Sequence, residues 1–467
     1  MSLLIYRTQR LEMKIVMLRF PHLAEQILQK LDNEGLAKSR EVQQVWQTFI
    51  DERDYSWLRI VNIPTVLPKG NTYFHLAAEH GQIDAFKMIL NEDNNADPKD
   101  DWGETPYLMA CLKGHINIAS MLMKKSRKLR IDLNRSNNGG LTAFHLSCQE
   151  GNSNVAKMIM DNSTKFKIDL NIKDTGGNTA FHLACSRGHS QIAEIMINNF
   201  AKLKINLSTT NNNDSTAFHL PCFKGHFKIA KMILENSPKL KINLNQKNKE
   251  WGQTAFHLAC SEGHSEIAEI MINNFIKLEI DLSTTDNTDS TAFHLACSEG
   301  RLEIAKMILE NSSRMKIDLN RKNKTWCAHG GYTAFQLVCL RGYSKIAEII
   351  INKSIDLNID LNPKCDDDMT VFHLACIGPQ LGNLRIVEVI LEQAECHKID
   401  LTAIERMGMN GYQIAEYYKN TDVINLIKTN MPSLVKLPSY KCSSCDTISF
   451  AKKSKLIDHI VSVHEGK

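Results

Sequence analysis

From about residue 70 to residue 428 the chain repeats one pattern of apolar and polar positions. A short run such as Ala255–Glu262, apolar through Cys260 apart from one His, ends at a Gly, and a longer run, Ser265–Asn274, follows with its apolar residues at the spacing of an amphipathic helix. The Thr in front of the short run suits a helix N-cap, and the Gly suits a left-handed position just past a helix end. Each unit therefore predicts two helices and an extended hairpin. Nine units occur, and their Thr-to-Thr steps are mostly 37 residues, with others of 33, 38 and 42. A fixed period of this size is the mark of a stacked solenoid, in which each unit buries its apolar face only against its neighbours. Two 75-residue blocks starting at Thr179 and Thr254 are so alike that tandem duplication accounts for them.

A different pattern lies between Phe20 and Trp57. Leu23, Ile27, Leu28 and Leu31 follow helical spacing, "DNEG" interrupts, and Leu36, Val42, Val45, Trp46 and Phe49 resume it, which predicts a compact helical hairpin over 18–60. After a Pro-containing linker at 429–439, the segment 440–467 carries Cys442, Cys445, His459 and His464 in the spacing C-x2-C-x13-H-x4-H. That spacing suits one zinc ion held by four side chains, a closed and hence structural site. A segment so small folds only with its metal.

Composition changes this picture little. Apolar residues at 43% and charged residues at 23% are those of a folded protein, and a net charge of +4 does not announce nucleic acid as the partner. The first twenty residues are interrupted by Arg7, Arg10, Glu12 and Lys14, so no export signal is expected, and no run reaches the roughly 18 apolar residues of a membrane span. The expected location is cytoplasm, nucleus or both, with thirteen cysteines kept as thiols or metal ligands.

The stretch "TAFHLACSEGHSEIAEIMINN" places His257, Cys260 and His264 close together and looks at first like a metal site or a nucleophile with its base. The same residues recur in unit after unit, and Leu108 and Gln336 replace the His without loss of the frame, so they read as scaffold. No phosphate-binding Gly loop or nucleophile elbow is found, and no enzyme is expected.

Thr-Ala-Phe-His-Leu-Ala-Cys…Gly-His resembles the signature of ankyrin repeats over about residues 70–428. The resemblance implies an all-α solenoid of nine repeats closed by a degenerate unit from Gly411. It also implies that the motif His bonds back to the Thr and the neighbouring hairpin, and that the Cys packs between stacked helices. The four residues beyond the family's usual period are expected to add a turn to the second helix. Pro221 falls inside a first helix, which marks that repeat as a weak joint, and "ACIGPQLGNLRIVEVIL" is expected to lengthen the inter-helix turn of the ninth repeat by three residues.

The N-terminal pattern resembles the F-box. The carriers are Pro21, Leu23, Ile27, Leu28, Leu31, Val42 and Trp46, with Phe20 and Gln43 departing from the usual Leu and Cys. This implies docking on the small adaptor subunit of SCF-type ubiquitin ligases, and through it on a cullin. The C-terminal segment resembles a ββα two-cysteine two-histidine zinc finger, with Tyr440, Phe450 and Leu456 as its core and Lys452, Ser454, Lys455 and Asp458 in the base-reading places.

The expected function is a protein-interaction adaptor, a substrate-recognition subunit of such a ligase. The rivals are a nucleic-acid-associated regulator making a weak contact through the finger, and a scaffold without ligase coupling. The expected substrate face runs along the concave side through Arg187, Lys224, Glu262, Glu299, Trp326, Tyr332 and Arg341, which vary on a constant frame. Its sharpest part is the longest hairpin, Arg321 to Thr333, where Cys327 and His329 lack the partners a metal would need.

Overall fold

Ten helix pairs follow one another in a computed structural model that describes residues 70–92, 96–324, 330–378, 381–406, 408–435, 440–441 and 449–450. The pairs are numbered repeats 1 to 10 by their opening residue, from Thr72 to Asn410. Repeats 1 to 5 hold α1 (Tyr73–Glu79) and α2 (Ile83–Glu92), α3 (Pro106–Leu112) and α4 (Ile116–Leu129), α5 (Ala143–Gln149) and α6 (Ser153–Phe166), α7 (Ala180–Arg187) and α8 (Ser190–Leu203), α9 (His219–Lys224) and α10 (Phe227–Leu240). Repeats 6 to 10 hold α11 (Ala255–Glu262) and α12 (Ser265–Asn274), α13 (Ala292–Ser298) and α14 (Leu302–Met315), α15 (Ala334–Arg341) and α16 (Ser344–Lys353), α17 (Val371–Ile377) and α18 (Leu381–His397), α19 (Gly411–Tyr417) and α20 (Thr421–Asn430). Leading helices pack on leading helices of the next repeat and trailing on trailing, as the solenoid reading requires.

One Phe per repeat anchors the stack. Phe144, Phe181, Phe218, Phe256, Phe293, Phe335 and Phe372 are all buried, each worth about 1.5–3 kcal/mol of apolar burial. Between them, at the small positions expected for thiols, lie the buried Cys148, Cys185, Cys222, Cys260, Cys297, Cys339 and Cys376.

The extra residues of the 37-residue period lengthen the trailing helix in five repeats. In the 33-residue first repeat α2 spans ten residues, whereas α4, α6, α8, α10 and α14 each span fourteen. Helices α12 and α16 depart from the expectation: both stop after ten residues, and the remainder forms an irregular turn closed by bonds such as Ile280 N–H to Phe275 C=O (2.8 Å). The ninth repeat also departs from it. Its three additional residues extend α18 to seventeen residues instead of lengthening the turn, so the helix simply starts earlier.

Pro221 is accommodated by moving a helix start. In repeat 4 Leu183 N–H bonds the Thr179 carbonyl, the normal first turn, but in repeat 5 His219 N–H bonds the Thr216 carbonyl (3.1 Å) and α9 begins only at His219. Pro221 thereby falls in the first turn, where its missing N–H has no helical partner to lose.

Neighbouring repeats are tied along two lines. On the hairpin side a backbone bond joins each hairpin to the next, as in Asn212 N–H to Gly176 C=O (3.0 Å) and Lys249 N–H to Asn213 C=O (2.8 Å). At the loop after the trailing helix an Asn side chain does the work. Asn171 donates through Nδ2 to the Lys204 carbonyl (3.0 Å) and accepts from the Asn206 N–H (2.7 Å), bracketing the loop of the following repeat. Asn134, Asn245, Asn320 and Asn362 make the same bracket. At the equivalent positions of repeats 4 and 6 stand Ser208 and Ser283, whose hydroxyls turn back to Asn206 and Asp281 of their own loops.

Near the end of the chain, Tyr440–Lys441 pairs antiparallel with Ser449–Phe450, the place where the hairpin of a finger is expected. No helix among the described residues is long and apolar enough to cross a membrane.

Candidate recognition face

The recurring His is a structural strut. In repeat 4 the Thr179 N–H donates to His182 Nδ1 (3.3 Å), the Thr179 hydroxyl lies 2.9 Å from the same nitrogen, and Nε2 bonds the Ser215 carbonyl of the next hairpin (3.3 Å). An Nδ1 that accepts from a backbone N–H places the ring proton on Nε2, so the tautomer follows from the network. Gln336 reproduces both ends. Its Oε1 accepts from Thr333 N–H (2.9 Å) and its Nε2 donates to the Pro363 and Met369 carbonyls (both 3.0 Å), which is why the frame survives that replacement. Burial pulls His182, His219, His257, His294 and His373 down to about 4, and these rings are neutral at pH 7.

The second His of the motif ties the other end of the leading helix. His226 Nε2 bonds the Ser186 carbonyl (3.1 Å), and a Cβ on Gly188 would lie 2.7 Å from that ring. Gly188 also sits at φ 80, so two separate demands exclude a side chain there. Asn152 and Asn420 take over the same role as donors to carbonyls of the preceding repeat. Burial pushes the Cys260 thiol far above its usual range, the opposite of what a nucleophile needs, and no group of three or more metal-ligating side chains is assembled among the described residues.

With the scaffold accounted for, what remains is its exposed surface. Arg187, Lys224, Glu262 and Arg341 end α7, α9, α11 and α15, Glu299 caps α13, and all five are exposed at the same place in successive repeats. They form no ion pair among the described residues. Tyr332, just before the motif Thr333, is half-buried and packs against the core beside α15. Trp326, with Cys327 and His329, lies outside the described residues, as do the F-box-like Pro21, Leu23, Ile27, Leu28, Leu31, Val42 and Trp46 and the metal-spaced Cys442, Cys445, His459 and His464.

Three exposed aromatics were not anticipated. Trp102 is 56% exposed and Trp251 47% exposed, each just before a hairpin Gly, and Phe223, 39% exposed, lies beneath the Lys224 ammonium at 4.8 Å. The available signal was Trp-Gly at 102–103 and 251–252, at places where the other hairpins carry Gly, Asn or Thr. Phe223 with Lys224 ends α9 and Trp251 lies in the hairpin that follows α10, and Trp is among the residues enriched at interface hot spots.

Comparison with known proteins agrees with this architecture. A family model described as ankyrin repeats in three copies matches residues 74–174, 164–248 and 239–323, together just over half of the chain. A "Poly [ADP-ribose] polymerase tankyrase" of Caenorhabditis elegans is 35% identical over 72 residues, 15% of this chain and 3% of that protein. The "Ankyrin repeat domain-containing protein 63" of Homo sapiens, like that of Mus musculus, is 30% identical over 73 residues, 16% of this chain and 19% of theirs. The chain therefore spans under a fifth of the length of these relatives, and the match to the polymerase brings no catalytic role with it. Capped leading helices, His struts and a matching family model converge: this chain belongs to the ankyrin-repeat proteins.

Proposed function

We propose that the solenoid captures a protein substrate and that the N-terminal segment delivers it to an SCF-type ubiquitin ligase. The observation that supports capture is the row Arg187, Lys224, Glu262, Glu299 and Arg341, exposed, without an ion pair among the described residues and changing in charge on a frame whose buried residues hardly change. Delivery rests on the order of Pro21, Leu28 and Trp46 in the F-box-like pattern, and a helical hairpin that short gains by burying its apolar surface on a partner. Full-length protein purified from cells is expected to bring down the SCF adaptor. Leu28→Ala with Trp46→Ala is expected to abolish that co-purification while the helical signal of the solenoid stays. Adaptor retained by the folded double variant overturns the ligase reading and leaves a scaffold.

The C-terminal segment takes one structural zinc in this proposal. Cys442, Cys445, His459 and His464 are a suitable donor set, and the paired strands Tyr440–Lys441 and Ser449–Phe450 stand on either side of the two cysteines in the sequence, in keeping with this reading. Metal analysis is expected to give one zinc per chain, lost in Cys442→Ser with Cys445→Ser and without a shift in the main melting transition. The rival reading as a nucleic-acid regulator rests on Lys452 and Lys455 in base-reading places, but one finger reads about three base pairs. Duplex binding lost on zinc removal, in protein that brings down no adaptor, would favour it.

A further inference from the structure

Repeat 2 breaks the rule of its own array. Counted back from the left-handed residue that ends the trailing helix, the position three before it is Arg127 in repeat 2 but Thr164, Ala201, Pro238, Ile276 and Ser313 in repeats 3 to 7. The position five before is Lys125, against Asn162, Asn199, Asn236, Asn274 and Asn311 in repeats 3 to 7, whose amides bond a carbonyl of their own helix, and only repeat 8 also has a lysine there, Lys353. The position six before is Lys124, against Asp161, Asn198, Glu235, Asn273 and Glu310. Three departures from a near-constant helix all go to a cation.

Favourable interaction with the helix dipole reaches Arg127 in the last turn but does not account for Lys124 and Lys125. Cations in the last turn are stabilised by the C-terminal end of a helix, and that explains Lys128 and Arg130, which have counterparts such as Lys165 and Lys167 or Lys202 and Lys204. The effect fades beyond the last turn, and repeats 3 to 7 fold without a cation at those positions. Lys124 with Lys128 and Arg127 with Arg130 are instead like-charge neighbours on one helix, each pair unfavourable by a few tenths of a kcal/mol. None of these side chains has an acidic partner at ion-pair distance among the described residues.

The surface at Arg127 is concave. A cleft of about 410 Å³ lies where the end of α4 meets the end of α6, lined by Arg127, Arg130 and Lys167, with Phe166 and Asn134 beside them. Asp132 also lines it, but its carboxylate already accepts the Asn134 N–H (3.0 Å). Three cations and the Asp132 carboxylate leave two positive charges around this space, and the exposed Lys124 and Lys125, outside its lining on the same helix, add two more. A phosphate monoester supplies about −1.5 to −2 charge and three acceptor oxygens, and guanidinium groups match it with paired donors. We propose that this cleft between repeats 2 and 3 binds a ligand carrying several phosphate monoesters, either a soluble polyphosphorylated polyol or the same group displayed as a lipid headgroup. The site is separate from the exposed row at the ends of the leading helices.

The array supplies its own control. Lys124→Asn, Lys125→Asn and Arg127→Ala together rewrite α4 with the residues that α8 already carries at those places, so the variant is expected to fold. Calorimetric titration of the full chain with inositol hexakisphosphate at about 0.15 M salt is expected to show saturable one-to-one binding, weakened at least tenfold in the triple variant. A control variant, Lys239→Ala with Lys241→Ala, removes two cations from repeat 5 and is expected to bind as the wild type does. Vesicles of phosphatidylcholine with and without a phosphorylated inositol lipid distinguish the sources: capture that depends on Lys124, Lys125 and Arg127 assigns the headgroup, and none assigns the soluble form. No binding by the folded wild type overturns the proposal, as does equal weakening in the repeat 5 control, which would mean diffuse attraction. Tighter binding of a 20-base-pair duplex, sensitive to the same triple variant, would reassign the cleft to nucleic acid.

Discussion

Repeats 3 and 4 meet through the Asn171 bracket, while repeats 4 and 5 meet at Ser208, which bonds back into its own loop. Both interfaces keep the hairpin bond and the His strut, at Thr175 N–H to Gly139 C=O and His145 to Asn178 on one side and Asn212 N–H to Gly176 C=O and His182 to Ser215 on the other. They differ at this loop edge and in Lys173, whose ammonium donates to the Thr210 carbonyl (2.6 Å) across the first interface and has no counterpart across the second among the described residues. The comparison recurs 75 residues later, where Asn245 brackets and Ser283 does not, so the duplicated block carried one tied and one untied interface with it. Stability in a solenoid is close to a sum of repeat and interface terms, so a missing pair of bonds at one edge acts locally. Repeat 4 over 5 and repeat 6 over 7 are where the stack is expected to open first.

Acidification is the largest expected perturbation, and it acts on both kinds of interface. Unfolded His titrates near 6.5, whereas His182, His219, His257, His294 and His373 are held down to about 4 by burial. Below pH 6.5 the unfolded chain takes up protons that the folded chain refuses. The stability these rings contribute is therefore complete above pH 6.5 and is lost as the pH falls towards 4. At pH 5 each ring contributes about 2 kcal/mol of destabilisation, and the five together on the order of 10 kcal/mol. Urea denaturation followed by circular dichroism at pH 7.5, 6 and 5 checks this; a midpoint that does not fall between pH 7.5 and 5 would contradict neutral buried struts. Because the buried ring is common to tied and untied interfaces, although His257 Nε2 reaches no carbonyl of the next hairpin, hydrogen exchange during the acid step is expected to keep the same order of opening.

Exchanging the edge residue tests the comparison directly. Asn171→Ser removes two partly solvated hydrogen bonds and is expected to cost about 1 kcal/mol. Ser208→Asn, with the Lys241 carbonyl and Asn243 N–H equivalent to the bracketed pair in repeat 4, is expected to gain about 0.5 kcal/mol, since fixing a new side chain offsets part of the bond. Exchange protection at Asn206 should drop in the first variant and protection at Asn243 should rise in the second. Equal protection of the two amides in the wild type would remove the distinction between interfaces.

The sequence reading reached the repeat frame because Thr, His, Gly and Cys answer demands that only a few residue types meet: a cap, a two-ended strut, a left-handed turn under a ring, and a small buried volume. It missed the edge because Asn and Ser are both small, polar and common in loops, and only the position of a carbonyl and an N–H in the next repeat separates them. The exposed Trp251 was missed for a related reason, since a hairpin tip imposes no burial and leaves no periodic trace. The inserted residues of the ninth repeat were assigned to the turn because Gly378 and Pro379 punctuate it, yet a Pro also favours the start of a helix, and α18 begins at Leu381.

Pro221 is the smallest expected effect and the one that isolates the cause of the weak edge. It lies in repeat 5, just after the untied interface, so a strained α9 would open the same joint that Ser208 leaves untied. An interior Pro costs about 3 kcal/mol, and its replacement by the Ala that stands there in repeat 4, Ala184, would then return a gain of that size. The structure argues otherwise: α9 starts at His219, Pro221 occupies its first turn, and the Thr216 N–H still reaches His219 Nδ1 at 3.1 Å while His219 Nε2 reaches the Gln246 carbonyl at 2.9 Å. The strut and the buried Phe218 and Cys222 are kept, so the helix has shifted its beginning without losing its packing. Pro221→Ala is therefore expected to change the unfolding free energy by less than about 1 kcal/mol, with hydrogen exchange at the edge of repeat 5 unchanged. A gain approaching 3 kcal/mol, with new protection at Asn243, would shift the origin of the weak joint from the serine edge to the proline.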